Sequence, residues 1–474
     1  MPSIQLEPKQ MRTLPWLVAV GFFMQTLDST ILNTALPSMA RALGESPLRM
    51  QSVVVAYMLT VALLIPASGY LSDRFGTKRV FLAAIALFSL GSLACAASGS
   101  LIALVASRIL QGMGGALLLP VGRLTILKAV PKSELLRVLS FVTIPGLIGP
   151  LVGPALGGFL VERLSWHWVF FINLPVGAVG MVATWLYMPD ISEPSPSFDL
   201  PGFVLFGLGM VAVSFSLQGL GEHALSVAGS LLLLAFGLAA MAAYWIHAAH
   251  QERPLFSKKL FGIHSYQVGL LGNLFARLSS GAMPFLTPLF LQLGLGYPPT
   301  RAGMFMVPTV LGAMLSKALV ERVVGALGYR RVLLGNTLLL GAIICSFARI
   351  PADVSALELV LQLGAFGVVN SLQFTAMNTL TLADLEGETA SSGNSLLSVV
   401  MQLSMSLGVA AAAALLAVFA PGENAGHARL LGAFHRTYLT VGALGMLAAV
   451  IFLQLRPEDG AGLRRKKPVA VDES

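Results

Sequence analysis

The sequence predicts an all-α protein that crosses a lipid bilayer about fourteen times, and three observations carry that expectation. Hydrophobic residues make up 56% of the 474 and charged ones only 11%, with a mean hydropathy of +0.80; a soluble domain carries about 25% charged residues. Apolar runs of roughly 20 residues, the length a helix needs to cross the hydrocarbon core, recur along the chain. The breaks between them alternate between strongly and weakly basic, the asymmetry that orients membrane helices. No hydrophilic stretch is long enough to fold by itself, so an enzyme is not expected. Cys95 and Cys345 each stand alone in an apolar run. Neither a metal site nor a disulfide framework is indicated, and no cofactor.

A polar start, residues 1–13, is too short for a domain. No small-residue cleavage site follows the first apolar run, 14–36, which reads as a retained helix and not a signal peptide. Asp28 lies about fourteen residues into it, roughly 20 Å along the helix. It is the one Asp or Glu in the middle of an apolar run. A carboxylate at that depth costs about 2.5–3.5 kcal/mol on insertion scales, so it should face a polar interior and have a partner. The candidate partner is Arg108. Runs 51–71 and 80–99 are joined by Gly69-Tyr70-Leu71-Ser72-Asp73-Arg74-Phe75-Gly76-Thr77-Lys78-Arg79, where two glycines permit a tight, close-packed turn. Run 101–124 carries Arg108 and Gln111, three apart and so on one face. In run 138–161, Gly149, Gly153 and Gly157 make a bare stripe for close helix approach, extended by Gly158. Pro150 and Pro154 remove two helix hydrogen bonds there and should bend the helix. Run 167–188 opens at Trp166-His167-Trp168, suited to a headgroup-level belt.

An acidic linker, residues 189–199, holds Asp190, Glu193 and three prolines. Two more runs follow, 200–218 and 226–247. His247 and His250 share a face at the end of the second, and read as a polar helix end more readily than as a metal pair. The last six runs are 266–293, 302–321, 331–349, 355–381, 390–420 and 433–455. An internal repeat divides the chain. Phe75-Gly76-Thr77-Lys78-Arg79-Val80-Phe81-Leu82 matches Leu327-Gly328-Tyr329-Arg330-Arg331-Val332-Leu333-Leu334, and each opens the third helix of its half. The plan is therefore a six-helix bundle over 14–188, two inserted helices over 200–250, a second six-helix bundle over 251–456 and a basic tail, 457–474. Parallel halves around a midplane site are a common build for secondary transporters.

With the N-terminus cytoplasmic, the inner connections and tail hold 21 of the 30 Lys and Arg and the outer side seven, with Arg108 and Arg277 inside helices. Both termini are then expected in the cytoplasm. The +8 net charge is explained by this placement and needs no nucleic-acid partner. Arg464-Arg465-Lys466-Lys467 belongs to the same anchor, with lipid-headgroup recognition as the alternative.

Asp73, at a helix end before a basic run, has the wrong sign for an anchor. The run resembles the signature loop of the major facilitator superfamily, G-x-L-x-D-R-x-G-x-[KR]-[KR], at every fixed position. That resemblance implies a latch of Gly69, Asp73, Arg74, Gly76 and Arg79, with Asp73 facing the start of the eleventh core helix near Ser391-Ser392-Gly393-Asn394, whose dipole attracts an anion. The second copy lacks the Asp and has Glu321 and Arg322 nearby, which makes the latch one-sided. Arg108-Ile109-Leu110-Gln111-Gly112 resembles the family's R-x-x-Q-G motif, whose Arg is taken to assist proton transfer. Gly149-Pro150-Leu151-Val152-Gly153-Pro154-Ala155-Leu156-Gly157-Gly158 is similar to the motif of drug:proton antiporters, taken to favour exchange over leak. Trp166 to Gly177 resembles W-R-W-x-F-x-I-N-x-P-x-G of the fourteen-helix branch, with His167 in place of the commoner Arg. Phe198-Asp199-Leu200-Pro201-Gly202 and Leu27-Asp28-Ser29-Thr30-Ile31-Leu32-Asn33-Thr34-Ala35-Leu36-Pro37 are similar to motifs of that same branch.

The resemblance implies a major facilitator fold and a bacterial inner-membrane protein that exports small amphipathic molecules by alternating access, with protons as the coupling ion. Export of an organic anion or metabolite is the alternative, and a non-transporting receptor the alternative of another class. The partners implied are a small-molecule substrate and the bilayer, for a monomer. The helices taken to line the cavity offer Gln25 and Asp28, Arg108 and Gln111, Asn273 and Arg277, and Asn370 and Gln373. Interhelical hydrogen bonding is the other reading of the amides. Two arginines against one carboxylate leave the cavity at +1 when Asp28 is ionised, so the substrate need not be a cation. Asp28 reads as the proton carrier, with a structural ion pair to Arg108 as the alternative. Burial disfavours its charge and a nearby cation favours it, so a change in its distance from Arg108 would load and unload the proton.

Overall fold

The computed structural model describes residues 8–193, 197–222, 226–420, 427–456 and 459–460. Pro194 and Pro196 of the linker, most of the polar start and the tail Arg464-Arg465-Lys466-Lys467 lie outside the described residues. Among the described residues there is no strand. The first six helices are α1 (Pro8–Leu43), α2 (Gln51–Phe75), α3 (Thr77–Ala96), α4 (Leu101–Ala129), α5 (Lys132–Arg163) and α6 (Trp168–Tyr187). The inserted pair is α7 (Leu200–Glu222) and α8 (Val227–His250). The last six are α9 (His264–Gly294), α10 (Pro299–Leu327), α11 (Tyr329–Arg349), α12 (Ala356–Leu382), α13 (Gly387–Phe419) and α14 (Ala428–Phe452).

Thirteen of these are long and apolar enough to cross a membrane. The fourteenth, α1, has 36 residues, about 54 Å of helix. Its apolar content is diluted by Gln25, Thr26, Asp28, Ser29, Thr30, Asn33 and Thr34, several of which turn inward. Helices outrun their apolar runs where polar ends project; α5 starts at Lys132 and not near residue 138.

Local sequence explains the joints. Ser100, Ser226 and Ser355 cap α4, α8 and α12 by accepting from the backbone N–H three residues on, at 3.1–3.2 Å. Gly76 and Gly328 precede α3 and α11 with φ of +90° and +81°, so the sequence repeat is also a repeat of a backbone conformation that favours glycine. A Cβ at Gly76 would also strike the Asp190 carboxylate. Gly69 is different. It sits within the last turns of α2 with open space around it, so it is no turn glycine.

Packing is not uniform along the bundle. At the end remote from the termini one apolar core joins both halves, running from Ile31, Leu36 and Val53 through Leu160 to Phe285, Phe290, Phe347 and Phe434. The rings of Phe290, Phe434, Tyr438 and Phe347 form a chain with centroids 5.1–5.6 Å apart, each pair contributing about 0.5–1.5 kcal/mol beyond burial. There α5 lies on α10. Gly158 meets the Pro299–Thr300 backbone and Gly303 meets that of Pro154–Ala155. The Thr300 N–H donates to Glu162 at 3.0 Å, and Gln292 Nε2 to the Thr34 carbonyl at 2.9 Å. At the termini end the cores separate, one under α1, α3 and α4, the other under α9, α11 and α12. A cavity of about 900 Å³ lies between them. The inserted pair packs on α2 and α13 around Phe206, Tyr244 and Phe256. Asp199 ties its base together, accepting from His247 Nε2 at 2.7 Å, from Gly202 N at 2.9 Å and from Leu255 N at 3.0 Å. His250 bonds the Ile246 carbonyl instead, so the two histidines do not converge.

Candidate functional site

Asp28 is wholly buried, and five helices converge on it. Its Oδ2 accepts from Arg108 Nη1 of α4 at 2.7 Å. Its Oδ1 accepts from Gln111 Nε2 at 2.7 Å and from Asn173 Nδ2 of α6 at 3.1 Å. Ser92 of α3 accepts from both of those amides, at 2.9 and 3.3 Å. Arg108 also donates from Nη1 to Gln111 Oε1 at 2.5 Å and from Nε to the Val53 carbonyl of α2 at 3.3 Å. Its guanidinium carbon lies 4.2 Å from the centre of the Tyr57 ring. This is how a buried ion pair is tolerated: the remaining lone pairs and protons are met by further hydrogen bonds. Close helix approach makes it reachable. A side chain at Gly91 would collide with the Gln111 backbone, one at Gly112 with Thr60, and one at Gly115 with Tyr57.

The large cavity runs from Asp73, Arg123 and Ser391 inward to Gln25, Leu119 and Gln402. Those last three also line a deeper space of about 180 Å³ whose wall includes Tyr57 and Arg108. Arg108 thus meets that space on one side and the carboxylate on the other. Asp28 itself lines neither cavity.

The second bundle answers α1 and α4 with α9 and α12. Arg277 Nε donates to Asn273 Oδ1 at 2.9 Å, and Arg277 lies 3.7 Å from the centre of the Phe374 ring. Asn370 lines a space of about 160 Å³ with Asn33, Pro150, Pro154 and Met283. Gln373 does not share that surface. It is buried against α11, donating to Thr337 Oγ1 at 2.8 Å and accepting from Asn336 Nδ2 at 3.0 Å, so the interhelical reading holds for it. Three residues along a helix turn a side chain about 60° away, and that is enough to part it from Asn370.

The latch expected of Asp73 is not made here. Its Oδ1 takes a bond from Lys128 Nζ at 2.7 Å, and the same ammonium reaches Glu193 of the linker at 3.0 Å. Ser391, Ser392 and Asn394 line the cavity together with Asp73, without bonding it. Arg79 pairs with Asp190 at 3.6 Å, and Arg74 bonds the Tyr70 hydroxyl. The glycine stripe of α5 meets α1: side chains at Gly149, Gly153 and Gly157 would strike Thr26, Thr30 and Thr34. Pro150 and Pro154 sit inside one continuous helix.

Asn173 is the residue that sequence reasoning missed as a ligand of Asp28. Its signal in the sequence is an amide six residues past the start of the apolar run 167–188. Among the described residues no cluster of His, Cys, Asp and Glu suits a metal ion.

Residues 18–408 match the Major Facilitator Superfamily. The chain belongs to that superfamily. It is a multi-pass membrane transporter and not an enzyme. Relatives carry the name "Putative multidrug resistance protein MdtD". The one from Serratia proteamaculans is 54% identical over 408 residues, 85% of each chain. The one from Pectobacterium atrosepticum is 50% identical over 456 residues, 95% of this chain and 97% of its own. Solved structures confirm the fold. A POT family transporter in complex with 5-aminolevulinic acid superposes with a TM-score of 0.70 at 15% identity, covering 93% of this chain and 95% of that one. The nucleoside transporter NupG gives 0.65 at 14% identity, covering 94% and 100%.

Proposed function

We propose that this chain exports small amphipathic molecules from a bacterial cytoplasm by alternating access, in exchange for protons carried by Asp28. The observation that carries the reading is the Asp28–Arg108 pair, wholly buried, with its arginine in the wall of a cavity that the carboxylate does not line. The basic connections favour a cytoplasmic placement for the termini end. The structure then corresponds to the state that loads substrate from inside, with the remote end sealed by the shared core. In this state Asp28 is paired with Arg108. Protonation from the other side removes its charge and frees the Arg108 guanidinium, an energy difference between the two access states. The Lys128–Asp73–Glu193 contacts hold the α2–α3 loop on the linker while the cavity is open. The similarity to relatives bearing a multidrug-resistance name supports export of amphipathic solutes.

The test is transport in proteoliposomes with an imposed pH gradient and a panel of cationic, neutral and anionic solutes. Gradient-dependent movement that disappears in Asp28→Asn is the expected result. Full coupling in that variant refutes the assignment of Asp28. One observation favours the second reading, export of an organic anion: the charge of Arg277 is not balanced in the way that of Arg108 is.

A further inference from the structure

We propose that Arg277 docks the anionic group of the exported molecule, and that this molecule is a monocarboxylate with an apolar body. The inference rests on the export reading above and names its substrate class. Arg277 is only 7% exposed. Both of its hydrogen-bond partners are neutral amides, Asn273 at 2.9 Å and Asn378 at 3.4 Å. Among the described residues no carboxylate oxygen lies within 4.0 Å of it, whereas Arg108 has Asp28 at 2.7 Å. A guanidinium presents five N–H donors, and these two contacts use only two of them. A buried cation with no counter-charge is costly in a membrane protein, where such residues face a cavity or pathway.

Its position supplies the rest. On α12, Phe374 follows Asn370 at an interval of four and lies near its face. Asn370 lines the space between the halves, as does Ser280, one turn beyond Arg277 on α9. Arg277 thus flanks that space from one turn away and does not itself line it. That space is walled mainly by apolar groups, Met283, Pro284 and Phe366 among them, and suits the body of an amphiphile. The Phe374 ring covers one face of the guanidinium plane. Its uncommitted N–H groups are suited to a carboxylate, which guanidinium binds in a two-pronged, planar fashion.

Three ligands with one apolar body separate this from alternatives: 1-naphthoate, 1-naphthamide and 1-naphthylmethylammonium, each titrated calorimetrically into the purified full-length protein in detergent. Naphthoate is expected to bind at least about tenfold more tightly than the other two, the scale of one charge-assisted hydrogen bond. Arg277→Gln should abolish that preference by weakening naphthoate alone, and Arg277→Lys should keep part of it. The wild-type comparison stands even if the Gln variant fails to fold. Equal binding of the three, a preference that survives in Arg277→Gln, or no binding of naphthoate would each overturn the proposal. These titrations use no gradient, so the export reading stands or falls separately, on gradient-driven movement of any solute.

Discussion

The two bundles place an arginine in their polar interior in opposite ways. In the first, Arg108 comes from the fourth helix and meets an acid on the first; Gln111, Asn173 and Ser92 complete the pair. In the second, Arg277 comes from the first helix and meets only amides and a ring. The scaffolds match closely elsewhere: Gln111 reaches Ser92 on α3, and Gln373 reaches Thr337 on α11. What differs is the charge balance. The first bundle holds its arginine within a neutral ion pair, and the second holds one whose partners are neutral amides.

The largest expected effect is on coupling. Asp28→Asn should lower pH-driven transport by about a hundredfold or more, the range of lost proton-transfer groups, as measured by initial uptake under a fixed gradient; residual coupling near wild type would dissolve the contrast between bundles. Next is stability. Arg108→Gln leaves Asp28 buried without its cation and should cost about 3–5 kcal/mol. Arg277→Gln orphans no charge and should stay within about 1 kcal/mol of wild type, since the lost contacts are offset by no longer burying a charge without a counter-charge. Equal losses in the two thermal unfolding curves would show that the arginines play the same role. The repeated glycines come third. Gly76→Ala meets both an unfavourable φ and the Asp190 carboxylate, while Gly328→Ala meets the unfavourable φ. Losses of about 1–3 kcal/mol are expected from the backbone term, with the first variant the worse in the same assay. Smallest is Lys128→Ala, which removes the ammonium shared by Asp73 and Glu193 at a partly buried site and should cost about 1 kcal/mol, read as a small shift in melting temperature.

Much of this was legible from residues alone. An acid and an arginine in otherwise apolar runs have few partners, so Asp28 and Arg108 identify each other, and Gln111 follows at a spacing of three. Helix number followed from run length, and the repeat at Gly76 and Gly328 from identity of pattern. Three things were not legible. Asn173 bonds Asp28 because α6 packs beside α1, a matter of helix arrangement that a linear pattern does not carry. Gln373 turns to α11 because a small rotation along α12 divides cavity from core. Asp73 shares the Lys128 ammonium with Glu193 while the cavity lies open at that end, and a sequence specifies both access states without saying which one is occupied.

At Gly158 and Gly303 the bundles touch main chain to main chain. Contacts of that sort are close but carry no directional partner, so parting them strands no donor or acceptor. The directional cost of parting the remote end falls instead on bonds such as Thr300 N–H to Glu162 and Gln292 to the Thr34 carbonyl. Between those bonds, the closeness of the seam is set by the absence of a single methyl group on each side.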